Sequence, residues 1–259
     1  MIESLNVSLN HPRRPILVAH RGASHRCPEN TLIAYQTAID AGAKYVELDV
    51  QLTRDRCPIL HHDLDLMRMT GTARNITEMD SQEVLQLSAG YPDKFGDQFA
   101  DNRLITLSDF CRAMLLHPDV TVFVEIKRQS VEAFGADTVA QTVLTAIQSI
   151  RDHAVVISFN ADVLHAVRQN DAAIPIGLVL RAYDAAHRQS AVDLAAEYLF
   201  CNTTRIPADR QVWPGDWKWV LYNTDTVDEA LDCYQSGFPM LETNRIVDLL
   251  ASPQFQFDE

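Results

Sequence analysis

No run of apolar residues in this chain approaches the ~20 that a helix needs to cross a bilayer, so no membrane span is expected. The first twelve residues have no basic start followed by an apolar core, so no secretory signal is expected either. Positive charge is scarce: 22 Lys and Arg stand against 35 Asp and Glu, a formal net charge of −13. Such a balance repels nucleic acid and anionic membrane surfaces on average, leaving a small molecule as the expected partner. Nine glycines and eleven prolines in 259 residues are too few for collagenous or low-complexity chain, and no internal repeat or interdomain linker is visible. The five cysteines, Cys27, Cys57, Cys111, Cys201 and Cys233, are scattered and form no C-x-x-C pair. Reduced, buried thiols in a cytoplasmic protein are the expectation. Nothing in the sequence points to a particular oligomeric state.

What the chain does have is 47% apolar residues, ample for a large core in one domain over 1–259. Ile16–His20 is a short apolar run with a polar end, the mark of a buried parallel strand. Asn30 is the expected cap of a helix that ends near Gly42, and Tyr45–Val50 is a second strand. An extra strand is expected at Pro58–His61. Residues 63 to about 104 break the strand–helix alternation and read as an inserted subdomain, with Tyr91, Phe95 and Phe99 expected in a small core of its own. Alternation then resumes, with strands at Val120–Ile126, Ala154–Phe159, Ile174–Leu180, Glu197–Cys201, Lys218–Tyr222 and Phe238–Leu241. The helices between them are expected at 107–116, 131–150, 161–170, 184–194, 206–213, 226–236 and 245–251. Eight strands alternating with helices predict a (β/α)8 TIM barrel, an open doubly wound sheet being the rival.

The stretch from Val18 to Gly71 concentrates chemistry at predicted strand ends. Residues i and i+2 of a strand share a face, so Glu47 and Asp49 point together, as do Glu125 and Lys127. Both pairs sit inside apolar runs, where an unpaired charge is costly. Glu47, Asp49 and Glu125 are candidate ligands of one hard divalent cation, Mg2+ or Ca2+. His20 and His62 are candidates for a general acid and base pair, since imidazole titrates near neutrality. Arg21 and Lys127 are candidate phosphate contacts, and alternation lets Tyr222 reach the pocket. Asp63 is expected to orient its neighbour, His61 to be structural, and Trp213, Trp217 and Trp219 to be packing residues.

Taken in order, H-R-G-x5-P-E-N-T from His20, E-L-D-V-x2-T-x-D from Glu47, H-D-x2-L-x-R-x-T from His62 and E-I-K from Glu125 resemble the glycerophosphodiester phosphodiesterase family, in its cytoplasmic bacterial type. The resemblance runs from Ile16 to about Leu250. It implies a (β/α)8 barrel with a small insertion after the second strand. It also implies metal-dependent hydrolysis of glycerophosphodiesters to sn-glycerol 3-phosphate and an alcohol, a step in lipid and glycerol metabolism. Carried over by motif, it makes His20 and His62 the catalytic pair, Glu47, Asp49 and Glu125 the metal ligands, and Arg21 and Lys127 phosphate contacts. The family's neighbouring-hydroxyl attack, through a cyclic phosphate, would be expected, with the histidine that acts first as base left open. Two departures stand out. Val220-Leu221-Tyr222-Asn223 replaces the family's Trp-Thr-Val-Asn, and Thr243-Asn244 replaces its late Thr-Asp. These put the substrate's glycerol and alcohol contacts in question. A related phospholipase-type phosphodiesterase, a catalytically weak phosphodiester-binding protein and a glycosidase built on paired carboxylates are the competing readings.

Overall fold

The structure is a computed structural model that describes residues 14–209 and 211–255. The first twelve residues, in which no secretory signal is expected, lie outside the described residues.

Eight strands form the barrel: β1 (Ile16–His20), β2 (Tyr45–Leu52), β3 (Thr121–Ile126), β4 (Ala154–Ser158), β5 (Ile176–Val179), β6 (Tyr198–Asn202), β7 (Lys218–Tyr222) and β8 (Met240–Thr243). Each pairs in parallel with the next, and β1 pairs with both β2 and β8, which closes the ring and excludes the open sheet. The strand period of two sorts the side chains. Val18, Phe123, Val155, Ile157, Val179, Phe200, Val220 and Met240 fill the interior. The alternate strand positions, such as Leu17, Leu48, Val50, Val122, Val124 and Leu221, face the helices in a second apolar layer. Each such fully buried side chain contributes roughly 1.5–3 kcal/mol, so two concentric layers hold the strand ends rigidly.

Several elements depart from the sequence expectation, each for a local reason. The helix expected over 131–150 is divided into Arg128–Phe134, Ala136–Ala146 and a 3-10 turn Gln148–His153. Gly135, at φ +82°, makes the first break, a backbone angle that glycine reaches without strain. Over 206–213 the described residues form no helix. A 3-10 turn at Thr203–Arg205 is followed by irregular chain, and Pro207 and Pro214 deny the region amide donors. The last strand begins two residues later than its apolar run suggested and extends through Glu242 and Thr243. Outside the barrel Trp213 stacks on Tyr183, and Trp219 packs at a tilt against Tyr183 and edge-to-face against Phe238.

Pro58–Leu60 pairs antiparallel with the end of β2 and leads into the insertion. There, Asp65–Leu66 and Thr72–Asn75 make a small ribbon, and short helices span Met67–Thr70, Ser81–Val84 and Pro92–Phe95. The insertion's core is aliphatic, built from Ile59, Leu66, Ile76, Met79, Val84 and Leu104. Tyr91, Phe95 and Phe99, expected in that core, instead form a half-buried edge-to-face ladder on the rim. Charged side chains explain the difference, since Arg68 and Lys94 both lie over the Tyr91 ring. Lys94 Nζ also donates to the carbonyl of Ser24 at 2.7 Å, tying the insertion to the loop after β1.

Candidate active site

The inward positions at the C-terminal ends of the strands carry the polar residues. Register sets His20 beside Glu47, Asp49 beside Glu125, and Glu242 beside Val18 on one side and Tyr222 on the other. They surround a cavity of about 270 Å3, with His20, His62, Glu47, Glu125, Lys127 and Glu242 on its polar side. Ile157, Phe159, Val179 and Phe200 supply the apolar side, and Arg21 and Tyr222 also face it.

The turn after β1 shows why the His-Arg-Gly triplet has its composition. Arg21 and Gly22 take φ of +57° and +81°, and a Cβ on Gly22 would lie 2.6 Å from the backbone carbon of Ala34. Only glycine lets the following helix approach so closely. The turn aims the Arg21 amide at Glu47, donating to Oε2 at 3.2 Å and to the carbonyl at 3.0 Å.

Asn30 is not the helix cap. Thr31 takes that place, its hydroxyl accepting from the Ala34 amide. Asn30 sits in the left-handed region and serves the site instead. Its Nδ2 donates to Asp49 Oδ2 at 3.0 Å, while its Oδ1 accepts from the Asp49 amide and the Tyr35 hydroxyl. Asparagine is tolerated both at caps and at positive φ, so its residue type did not separate the two roles.

Asp49 is the most heavily paired carboxylate. Arg21 Nε lies 2.9 Å from Oδ2, and Lys127 Nζ lies 3.1 Å from Oδ1 and 2.7 Å from Glu125 Oε1. Burial alone would raise its pKa, but Arg21 and Lys127 outweigh that and hold it well below the ordinary carboxylate range. Arg21 reaches on to Glu29 (2.8 Å), Glu29 to Arg68 (2.7 Å), Arg68 to Asp63 (2.7 Å), and Asp63 to His62 Nδ1 (2.6 Å). One ion-pair chain thus links Asp49 to His62 and fixes the imidazole's orientation.

Glu47 and Glu242 are different. Glu47 Oε1 is buried without a hydrogen-bond partner. Burial, with Asp49 and Glu242 close by, drives the Glu47 pKa well upward. Burial and Glu125 likewise push Glu242 up to about 8. Four carboxylates, Glu47, Asp49, Glu125 and Glu242, face two committed cations, Arg21 and Lys127. Oxygens of Glu47, Asp49 and Glu125 lie within 4.8 Å of one another, as do ligand atoms of His20, Glu47 and Glu242. An all-carboxylate donor set with excess negative charge and an orphaned buried oxygen fits a hard divalent cation.

His20 is held from behind. Asn244 Nδ2 donates to Asp225 Oδ2 at 2.9 Å, which turns Asn244 Oδ1 toward His20 Nδ1, also at 2.9 Å. Nδ1 therefore carries the proton, and Nε2 presents its lone pair, 3.5 Å from Glu242 and 4.0 Å from Glu47. Burial, and secondly Arg21, lower the His20 pKa to about 3, so the ring is neutral near pH 7. His61, by contrast, is buried and spends Nε2 on the carbonyl of Asp65 at 2.9 Å.

The profile of the glycerophosphoryl diester phosphodiesterase family matches residues 20–210. The chain belongs to that family. Among its relatives is glycerophosphodiester phosphodiesterase 1 of Mus musculus, 31% identical over 170 residues, covering 66% of this chain and 50% of that protein. A glycerophosphodiester phosphodiesterase of Caldanaerobacter subterraneus subsp. tengcongensis is 32% identical over 168 residues, 64% of this chain and 67% of the relative. This chain therefore spans about half the length of the mammalian relatives it matches. The fold is shared with a phosphodiesterase of Oleispira antarctica, solved in complex with the product sn-glycerol-3-phosphate, at 22% identity and TM-score 0.81 over 91% of this chain and 95% of that one.

Within the family frame, Glu242, Asn244 and Asp225 are the residues that the sequence reading missed. Glu242 lay beyond the expected end of the last strand. Asn244 was visible only as a departure from Thr-Asp, and Asp225 becomes meaningful only through its contact with Asn244. The motif string P-E-N-T did hold the signal for Glu29 and Asn30, though not their roles.

Glu242 also makes a pH prediction. Its pKa rises from 4.5 to about 8 on folding, so the folded state holds the proton over that window and the unfolded state does not. Stability is therefore lost as pH rises through the window, and Glu47 pushes in the same direction. In cation-free protein, Tm is expected to fall by ~3 °C or more between about pH 6 and about pH 9, and Glu242→Gln to flatten that slope. Thermal melts that give parallel slopes in both proteins would refute this charge assignment.

Proposed function

We propose that this protein hydrolyses glycerophosphodiesters to sn-glycerol 3-phosphate and an alcohol, by histidine acid–base catalysis at a divalent cation site. The observation that carries this is the meeting of His20, His62, Glu47 and Glu125 around one cavity, with an Asp49 oxygen within 4.8 Å of oxygens of Glu47 and Glu125. The relatives' names and the product bound by the Oleispira antarctica enzyme support the substrate class.

His20 Nε2, neutral and aimed into the cavity, takes the proton from the glycerol hydroxyl next to the phosphate, and that oxygen attacks phosphorus. His62, oriented by Asp63, gives a proton to the departing alcohol oxygen. The roles then reverse as water opens the cyclic phosphate. Lys127 supplies positive charge to the phosphoryl oxygens, and Arg21 mainly holds Asp49 and Glu29 in place. Tyr222 lines the cavity in the region where the family's tryptophan is missing. A divalent cation, Mg2+ or Ca2+, held by Glu47, Asp49 and Glu125 would supply neutralisation of a phosphoryl oxygen and acidification of the attacking hydroxyl.

Among the described residues no helix is long and apolar enough to cross a membrane, and all five cysteines are free thiols. The thiols support a reducing, cytoplasmic setting. The test of the assignment is a release assay on glycerophosphodiesters with alkyl alcohols, with Mg2+ or Ca2+ added. Cation-dependent appearance of sn-glycerol 3-phosphate is expected. Tight binding without turnover would select the binding-protein reading instead.

A further inference from the structure

A second cavity, of about 430 Å3, adjoins the first and shares His62, Glu125, Lys127 and Phe159 with it. Its remaining wall carries Arg128, Arg181 and Arg205. In a chain of net charge −13 such a cluster needs a reason. Among the described residues, none of the three guanidinium groups has a carboxylate within ion-pairing distance. Arg181 lies over the Phe159 ring at 5.5 Å, and Arg205 donates to the Leu180 carbonyl at 2.9 Å and the Tyr222 hydroxyl at 3.2 Å, all neutral groups.

The acidic residues that line the same cavity are already engaged. Asp63 is bound by Arg68 and His62, Asp65 accepts from the Met67 amide at 2.9 Å, and Glu125 is paired with Lys127. Three like charges around one space repel each other, and a ligand of opposite sign relieves that repulsion. Gln129 Oε1, also on this wall, is buried without a hydrogen-bond partner, which leaves an acceptor for a ligand hydroxyl.

Position settles which half of the substrate this cavity receives. His62 faces both cavities, whereas His20 faces only the first. The group that protonates the leaving oxygen stands where the alcohol departs, so the alcohol extends into the second cavity and the glycerol stays in the first. We infer that the Arg128–Arg181–Arg205 cavity is the alcohol subsite and that it selects glycerophosphodiesters whose alcohol bears a further phosphate, of the phosphorylated polyol class. The inference rests on the phosphodiesterase reading above.

Glycerophosphoinositol 4-phosphate, glycerophosphoinositol and glycerophosphocholine separate the charge from the rest of the alcohol. The phosphorylated diester is expected to show a kcat/KM ~10-fold or more above the unphosphorylated one, mainly through KM. That advantage should shrink with rising salt, because the guanidiniums are solvent-exposed. Arg181→Gln should cut the ratio between the two inositol diesters ~5-fold or more, and Arg128→Gln should act in the same direction. Equal efficiencies for the two inositol diesters, a preference for the choline diester, or a ratio unmoved by both variants would overturn the inference while leaving the phosphodiesterase reading intact. No turnover of any of the three with cation present would remove both.

Discussion

His62→Ala is expected to lower turnover of alkyl glycerophosphodiesters at least ~100-fold, the usual scale for loss of a general acid or base, and to leave the barrel folded. Folding should be spared because His62 follows the edge strand Pro58–Leu60 and its side chain is one-third exposed (33%), bonded among the described residues only to Asp63. Its assigned task, protonating the leaving oxygen, gives a sharper test than loss of activity. A p-nitrophenyl leaving group departs as a stable anion and does not need that proton. The penalty for His62→Ala should therefore shrink strongly on such a diester, whereas His20→Ala, which removes the base for attack, should be costly on both substrates. Near-normal turnover of an alkyl diester by His62→Ala would reject the role, and equal penalties on both leaving groups would reassign it.

Stripping divalent cations is expected to abolish turnover, and Glu47→Gln to raise the cation concentration needed to restore it ~100-fold or more. The charge inventory sets the direction. Four carboxylates meet at the mouth of the barrel with Arg21 and Lys127 as their committed counter-charges, and Glu47 Oε1 is the oxygen left without a partner. A buried anion without compensation is expensive, and a divalent ion removes that cost. Replacing Glu47 with a neutral amide also removes, in the cation-free protein, the cost of keeping this carboxyl protonated above its ordinary pKa. Glu47→Gln is therefore expected to melt at or above the parent's temperature without cation and to gain less than the parent when cation is added. Calorimetric titration and thermal melts both read this independently of activity. An unchanged cation titration would argue against ligation by Glu47.

The local pattern carried much of this protein. Apolar runs alternating with amphipathic stretches specify eight strands in a ring, because a parallel strand buried on both faces has to be apolar nearly throughout. Glu47 with Asp49, and Glu125 with Lys127, could be assigned to common faces because the strand period is two and admits no ambiguity within a few residues. What failed locally failed where one residue type serves two purposes, as with Asn30, or where an apolar run and a strand are not coextensive. The last strand illustrates the second case. Phe238 to Leu241 looked like the strand because it is apolar, yet the sheet continues through Glu242 and Thr243, whose polarity is tolerated by the polar mouth.

Sequence alone determined which groups stand at the ends of β1, β2 and β3, and in what chemical types, since those follow from alternation over a handful of residues. Ring closure decided the rest. It brings Glu242 and Asn244 to His20 across more than two hundred residues, lets Asp225 choose the imidazole's tautomer through Asn244, and gathers Arg128, Arg181 and Arg205 from the segments that follow three different strands. Such contacts depend on distances around a closed barrel, which no local periodicity encodes.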